Sequence, residues 1–209
     1  PAQLALFGDK ARARQLAAEH GVPLLPGTGA ATLAEVQAFF AAQRAADPHC
    51  GVMLKAVAGG GGRGMRAVSD PAELPEAYAR CQAGGLAAFG VGDVYAEKLI
   101  PRARHLEIQV LGDGTQVIAL GERECTLQRR HQKLIEEAPA APLPAGLRER
   151  LLDDALRLAR RLDYRGVGTV EFLVAGDRHW FLEVNPRLQV EHPVTEEVTG
   201  IDIVELMLR

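Results

Sequence analysis

The chain has 209 residues, 47% hydrophobic and 24% charged, with a formal net charge of −3. That balance suits one large or two small soluble globular domains and gives no electrostatic case for nucleic acid or an anionic membrane. No apolar run approaches the ~20 residues of a membrane span, no signal peptide is expected, and three scattered cysteines speak against a disulfide framework and for a reducing compartment, the cytoplasm.

Asp9 can cap a helix running to about His20, stopped by Gly21 and Pro23. A second helix reads from about Leu33 to Ala46 and ends before Asp47-Pro48. Val52 to Val57 is a short apolar strand leading into four glycines, 59–62, after which Met65 to Val68 resumes a strand. Ser69-Asp70-Pro71 starts a helix lasting to about Phe89, and Val94 to Ile100 is a strand closed by Pro101. His105 to Leu111 alternates polar and apolar residues, Asp113-Gly114 signals a hairpin, and a partner strand runs from Val117 to Thr126. Leu127 to Glu137 is unusually polar, and Ala145 to Leu162 is an amphipathic helix. Strands at Gly168 to Val174 and His179 to Val184 flank a turn near Gly176-Asp177, and a last helix starts around Pro193. Strands, a helix and further hairpins in this order predict an α+β fold with a largely antiparallel sheet.

Four stretches carry chemistry. Lys55 and the glycine run lie between two strands, where backbone N–H groups can approach a phosphate; a mobile surface loop is the alternative. No Gly-Lys-Ser/Thr ends the run, so it is not a P-loop. Glu171 and Glu183 fall on neighbouring strands. A five-residue loop centred on Asp177 puts them opposite each other, whereas a two-residue turn puts Glu171 opposite Leu182. Two carboxylates that close, with Asn185 nearby, suit all-oxygen ligation of Mg²⁺ or Mn²⁺, while the six histidines show no zinc spacing.

Glu183, Asn185, Arg187, Gln189 and Glu191 fall on every second position, which in an extended segment places them on one face, with Val184, Leu188 and Val190 facing a core. Glu191 can then act as general base on a small acid gripped by Arg187, while a structural hydrogen bond is the favoured role for His192. The cluster from Gln128 to Lys133 is basic without interleaved aromatics, which suits a compact anion such as phosphate or bicarbonate better than nucleic acid.

In order along the chain, Phe7-Gly8-Asp9-Lys10, Lys55 with its glycines, Glu97-Lys98 and Arg104 to Gln109 resemble the ATP-grasp core of biotin carboxylases. The resemblance continues through Glu122 to Cys125, Gln128 to Lys133, Glu136 to Pro139, Gly168 to Phe172 and Glu183 to Glu196, and the Arg-Leu-Gln-Val-Glu-His-Pro run distinguishes these enzymes from other ATP-grasp ligases. It implies ATP-dependent carboxylation of biotin by bicarbonate through carboxyphosphate. Lys10, Lys55, Gly60, Gly61 and Gly62 would hold the phosphates, with His105, Gln128 and His131 also lining the nucleotide site. Glu97, Lys98, Ile100 and Leu173 would meet adenine, and Glu171, Glu183 and Asn185 would carry the metals. Lys133, Arg187, Gln189 and the Val190 backbone would bind bicarbonate; Glu191 would deprotonate it and Arg187 would stabilise the biotin enolate.

The same resemblance implies residues 1–26 as a helical linker, 27–98 as a lid and 99–209 as a core incomplete at its C-terminal end. Biotin carboxylases begin with a Rossmann-like subdomain and continue beyond the last helix, so a piece truncated at both ends is expected, able to bind ATP but lacking parts needed for turnover. The implied partners are a biotin carboxyl carrier domain and a carboxyltransferase, in a homo-oligomeric parent. A carbamoyl-phosphate synthetase-like ligase and a non-catalytic nucleotide-binding module are the rival readings.

Overall fold

The computed structural model describes residues 10–58, 64–129 and 132–208. In chain order its elements are α1 (Lys10–Glu19), α2 (Leu33–Ala46), β1 (Gly51–Ala56), β2 (Met65–Val68), α3 (Leu74–Phe89), β3 (Val94–Leu99) and β4 (Arg104–Asp113). Then come β5 (Val117–Arg129), β6 (Gln132–Glu137), α4 (Leu147–Arg160), β7 (Arg165–Ala175), β8 (Arg178–Asn185), α5 (His192–Thr199) and α6 (Ile203–Leu208). They divide between two compact units, one spanning Leu25–Pro101 and the other joining the segment up to Leu24 to Arg102–Arg129 and the residues from Lys133 onward.

In the smaller unit an antiparallel sheet of order β2-β1-β3 is covered by α2 and α3. Val36, Phe40, Leu74 and Cys81 bury Leu54 and Ala96 there. Thr32 starts α2 through a capping box with Glu35, satisfying donors that a helix start leaves free. The helix expected from Ser69 is two pieces, a 3-10 turn over Pro71–Glu73 and then α3. Pro75 is the reason: without an N–H it cannot donate to the carbonyl of Pro71, so no α-helical turn runs through both.

The larger unit holds a five-stranded antiparallel sheet of order β6-β5-β4-β7-β8. Alternation on β4 turns Leu106, Ile108 and Val110 to a core shared with Phe172, Phe181 and the buried stripe of α4. The opposite face carries His105, Glu107 and Gln109, and it too is largely buried, with Glu107 at 0% exposure and Gln109 at 1%. An antiparallel sheet ordinarily leaves one face wet; here the polar face is covered and becomes the site.

The β4–β5 hairpin closes with the Asp113 carboxylate accepting the N–H groups of Thr115 and Gln116, each at 2.7 Å, and Gly114 at φ 94°. Between β7 and β8 the turn is the two residues Gly176-Asp177, with Gly176 at φ 60°, yet Glu171 still pairs with Glu183. A bulge at Leu182 reconciles the two: Phe172 pairs with Phe181, Glu171 with Glu183, and the extra residue switches the face on which the rest of β8 presents its side chains. Phe181 and Val184 thereby both reach the core. The outer edge of β8 is met by the entering chain, Phe181 N–H donating to the Pro23 carbonyl at 2.8 Å and Leu24 bridging Phe181 in parallel.

Candidate functional site

On the polar face of the larger sheet, the Lys133 ammonium is the centre of a carboxylate cluster. Its Nζ donates to Glu107 Oε2 at 2.5 Å, Glu191 Oε1 at 2.7 Å and Glu171 Oε1 at 2.9 Å. Each carboxylate comes from a different element: β4, the loop before α5, and β7. Burial disfavours the ammonium, but Glu171 and Glu107 outweigh that and raise its pKa above the usual lysine range. Glu171 is buried, which pushes against ionisation, yet His105 and Lys133 hold its carboxyl below the ordinary value.

His105 Nε2 lies 2.7 Å from Glu171 Oε2, and Gln128 Nε2 lies 2.7 Å from His105 Nδ1. With the amide oriented so, Nδ1 accepts and Nε2 donates. Asn185 Nδ2 donates to Glu171 Oε1 at 2.8 Å, and Gln189 Nε2 to Thr169 Oγ1 at 3.2 Å. Leu173 is half-buried and pairs across the ladder with His105.

The extended run expected from Glu183 to Glu191 is strand only as far as Asn185. Pro186 has no N–H to continue a ladder, and the chain turns into α5 from His192. The alternation therefore fails beyond Asn185. Gln189 and Glu191 are buried by the turn, Arg187 is exposed with Nη1 donating to the Leu188 carbonyl at 3.2 Å, and Val190 is 87% exposed instead of facing a core. His192 Nδ1 lies 2.7 Å from the Gln189 carbonyl, a bond that closes this turn.

In the smaller unit, buried Lys55 is ion-paired with buried Glu97, and its Nζ stands 5.8 Å from the Tyr95 ring centre. Lys98 donates its backbone N–H to the Pro26 carbonyl at 2.8 Å, and Ile100 is half-buried just past β3. The side chain of Lys10, the glycines Gly60, Gly61 and Gly62, His131 and the cap Asp9 lie outside the described residues.

Two groupings offer metal ligands. Glu171, Glu183 and Asn185 converge from β7 and β8 as two carboxylates and a carboxamide, an oxygen-rich set that fits a hard divalent cation. Glu107, Cys125 and Glu191 also bring ligand atoms within 4.8 Å of one another. Lys133 holds a carboxylate of either grouping, so the thiol separates them: burial first of all pushes Cys125 far above its ordinary range, which makes it a poor ligand at neutral pH.

Reading strands one at a time missed Glu107, Gln109, Arg123, Thr169 and Thr195. The available signal was charge of opposite sign at alternate positions of adjacent strands, Glu107 facing Arg123; what was hidden is that this face is dry.

Residues 9–209 match the family profile of the carbamoyl-phosphate synthase L chain, ATP binding domain. Pyruvate carboxylase 1 of Caenorhabditis elegans is 50% identical over 212 residues, covering 100% of this chain and 18% of that protein. Bacillus subtilis pyruvate carboxylase is 47% identical, covering 98% of this chain and 18% of that protein. Among solved structures, a biotin carboxylase–β,γ-ATP complex from Campylobacter jejuni superposes with a TM-score of 0.90 at 45% identity, over 98% of this chain and 46% of that one. The biotin carboxylase domain dimer of Hydrogenobacter thermophilus 2-oxoglutarate carboxylase, solved with MgADP, ADP and bicarbonate, gives 0.90 at 40% identity over 100% of this chain and 46% of that one. The chain thus spans under a fifth of these pyruvate carboxylases and just under half of the solved chains.

Proposed function

This chain belongs to the family of the carbamoyl-phosphate synthase L chain ATP-binding domain, in its biotin carboxylase branch, and from that premise we propose that it binds ATP as part of the biotin carboxylase of a biotin-dependent carboxylase, which carries out ATP- and bicarbonate-dependent carboxylation of biotin. The observation that carries the reading is the Lys133 ammonium shared by Glu107, Glu171 and Glu191. It joins the carboxylate suited to a metal–nucleotide complex to the carboxylate suited to a base.

Lys55, Lys10 and the glycines 60–62 hold the phosphates, His105, Gln128 and His131 line the nucleotide site, and Glu97, Lys98, Ile100 and Leu173 receive adenine. Glu171, Glu183 and Asn185 would hold Mg²⁺ or Mn²⁺, which would supply charge neutralisation at the phosphates. Lys133, Arg187, Gln189 and the Val190 backbone orient bicarbonate. Glu191 accepts its proton, so that a bicarbonate oxygen attacks the γ-phosphorus as ADP leaves, forming carboxyphosphate. As the C–O bond of carboxyphosphate breaks, the departing phosphate takes the ureido N–H proton of biotin and that nitrogen bonds the carboxyl carbon, while Arg187, on the exposed turn, stabilises the negative charge on the ureido oxygen.

Residues 27–98 serve as the lid, whose closure would keep water from the labile carboxyphosphate. The partners are a biotin-bearing carrier and a carboxyltransferase, in keeping with relatives described as a single-chain bacterial carboxylase and a multi-domain acyl-CoA carboxylase. A homo-oligomer is supported by the relative described as a domain dimer. Among the described residues no helix is long and apolar enough to cross a membrane, and three free buried thiols suit the cytoplasm.

The test is bicarbonate-dependent ATP cleavage, and its stimulation by free biotin, in the native polypeptide. Glu191→Gln should retain nucleotide binding and lose the bicarbonate-dependent rate. Wild-type turnover in that variant removes Glu191 from the base role, and ATP binding without turnover in the unaltered protein makes it a nucleotide-binding module.

A further inference from the structure

Arg123 projects from β5 opposite Glu107 and has 0% exposure. Its Nε and Nη2 lie 2.7 and 2.6 Å from Glu107 Oε1, and its Nη1 donates to Gln109 Oε1 at 2.8 Å and to Thr195 Oγ1 at 2.6 Å. Burying a guanidinium is costly, and an apolar side chain of similar volume commonly serves stability as well or better. Stability alone therefore does not call for an arginine here, and what its bonds reach does. Thr195 is buried in the first turn of α5, the helix whose N-cap is Glu191, so a bond that holds Thr195 also holds the helix start next to Glu191. Glu191 caps α5 with no side-chain capping bond of its own; its Oε1 goes to Lys133 at 2.7 Å. The second oxygen of Glu107 goes to the same ammonium at 2.5 Å.

We propose that Arg123 and Thr195 are positioning residues for bicarbonate: one guanidinium fixes the rotation of the helix that begins at Glu191 and also holds the Glu107 carboxylate that locates Lys133. By offsetting the charge of Glu107, Arg123 leaves more of the Lys133 field for Glu191 and an incoming anion. Neither residue touches substrate. The inference rests on the carboxylation reading above.

Thr195→Val keeps the shape and removes the acceptor; Thr195→Ser keeps the acceptor. In the native polypeptide, Thr195→Val should raise the KM for bicarbonate about tenfold, the scale set by losing one charge-assisted hydrogen bond, with the KM for ATP unchanged. Thr195→Ser should restore it. Arg123→Met, which breaks the bonds to both Glu107 and Thr195, should raise the KM for bicarbonate at least as much, again with the KM for ATP unchanged. If Arg123→Met does not fold, the threonine pair decides. A wild-type bicarbonate KM in Thr195→Val, a defect that serine does not rescue, or ATP and bicarbonate KM values rising together would overturn the positioning role. Absence of bicarbonate-dependent cleavage in the unaltered protein would instead reject the carboxylation reading, and the inference with it.

Discussion

Replacing Lys133 by Met removes an ammonium that faces Glu107, Glu171 and Glu191 together, while keeping most of the side-chain volume. The two glutamates on the sheet, Glu107 and Glu171, are at 0% and 3% exposure, so water cannot take over the lost partner. Breaking a buried pair in this way costs about 3–5 kcal/mol. For a domain of this size that is a fall in Tm of roughly 6–20 °C. The direction with pH is set by the two groups in turn. In the wild type the Glu171 carboxyl is held below its unfolded value, so its contribution is present above about pH 4.3 and lost as pH falls through the lower folded value. The raised Lys133 ammonium contributes fully below about pH 10.4 and loses its contribution only as pH rises through its still higher folded value. The gap in Tm between wild type and Lys133→Met should therefore be flat from about pH 7 to 9 and close on acidification below about pH 5. Thermal denaturation across that range measures it. A gap under about 2 °C at pH 8, or one that does not close in acid, would refute the account of Lys133 as the shared counter-charge.

Other outcomes rest on single contacts. Glu183→Gln, opposite Glu171, should raise the Mg²⁺ or Mn²⁺ concentration needed for half-maximal nucleotide binding by about tenfold, read by titration calorimetry; unchanged metal dependence would take Glu183 out of the ligand set. At Gly112 a Cβ would lie 2.0 Å from the Tyr164 carbonyl, so Gly112→Ala should lose about 1–3 kcal/mol or more in urea unfolding, and wild-type stability would contradict that close approach. All three thiols are buried and protonated at neutral pH, Cys81 pushed up to about 11 by burial, so a thiol reagent at pH 8 should label none before denaturation and three after.

Much of the fold was legible from local chemistry. The limits of α2 at Leu33 and Ala46 are where its cap and Asp47-Pro48 put them, because those signals act within one helical turn. Alternation on β4 likewise identified the two faces of the central strand. Register was not legible, since turn length alone gives the wrong answer for β7–β8: a two-residue turn pairs Glu171 with Leu182 until the bulge is included, and nothing at Leu182 marks a bulge. The change at Asn185 was readable in part, because Pro186 cannot donate to a ladder, but which side chains the next turn buries depends on contacts with β6 and β7. The burial of Glu107 and Arg123 depends on α5 closing over a polar face, a tertiary event with no local signature.

The strand that carries Glu183 and Asn185 is also an outer strand of its sheet, with one row of backbone groups open to pairing. An open row of this kind invites a second chain or a slipped hairpin. Here the incoming segment at Pro23-Leu24 occupies part of the row, and the Leu182 bulge makes the two halves of β8 fit only one frame. A slip by one residue would send Glu183 under α4 and bring Phe181 onto the polar face. The frame that sets Glu183 opposite Glu171 is thus also the frame that seats the chain entering beside β8.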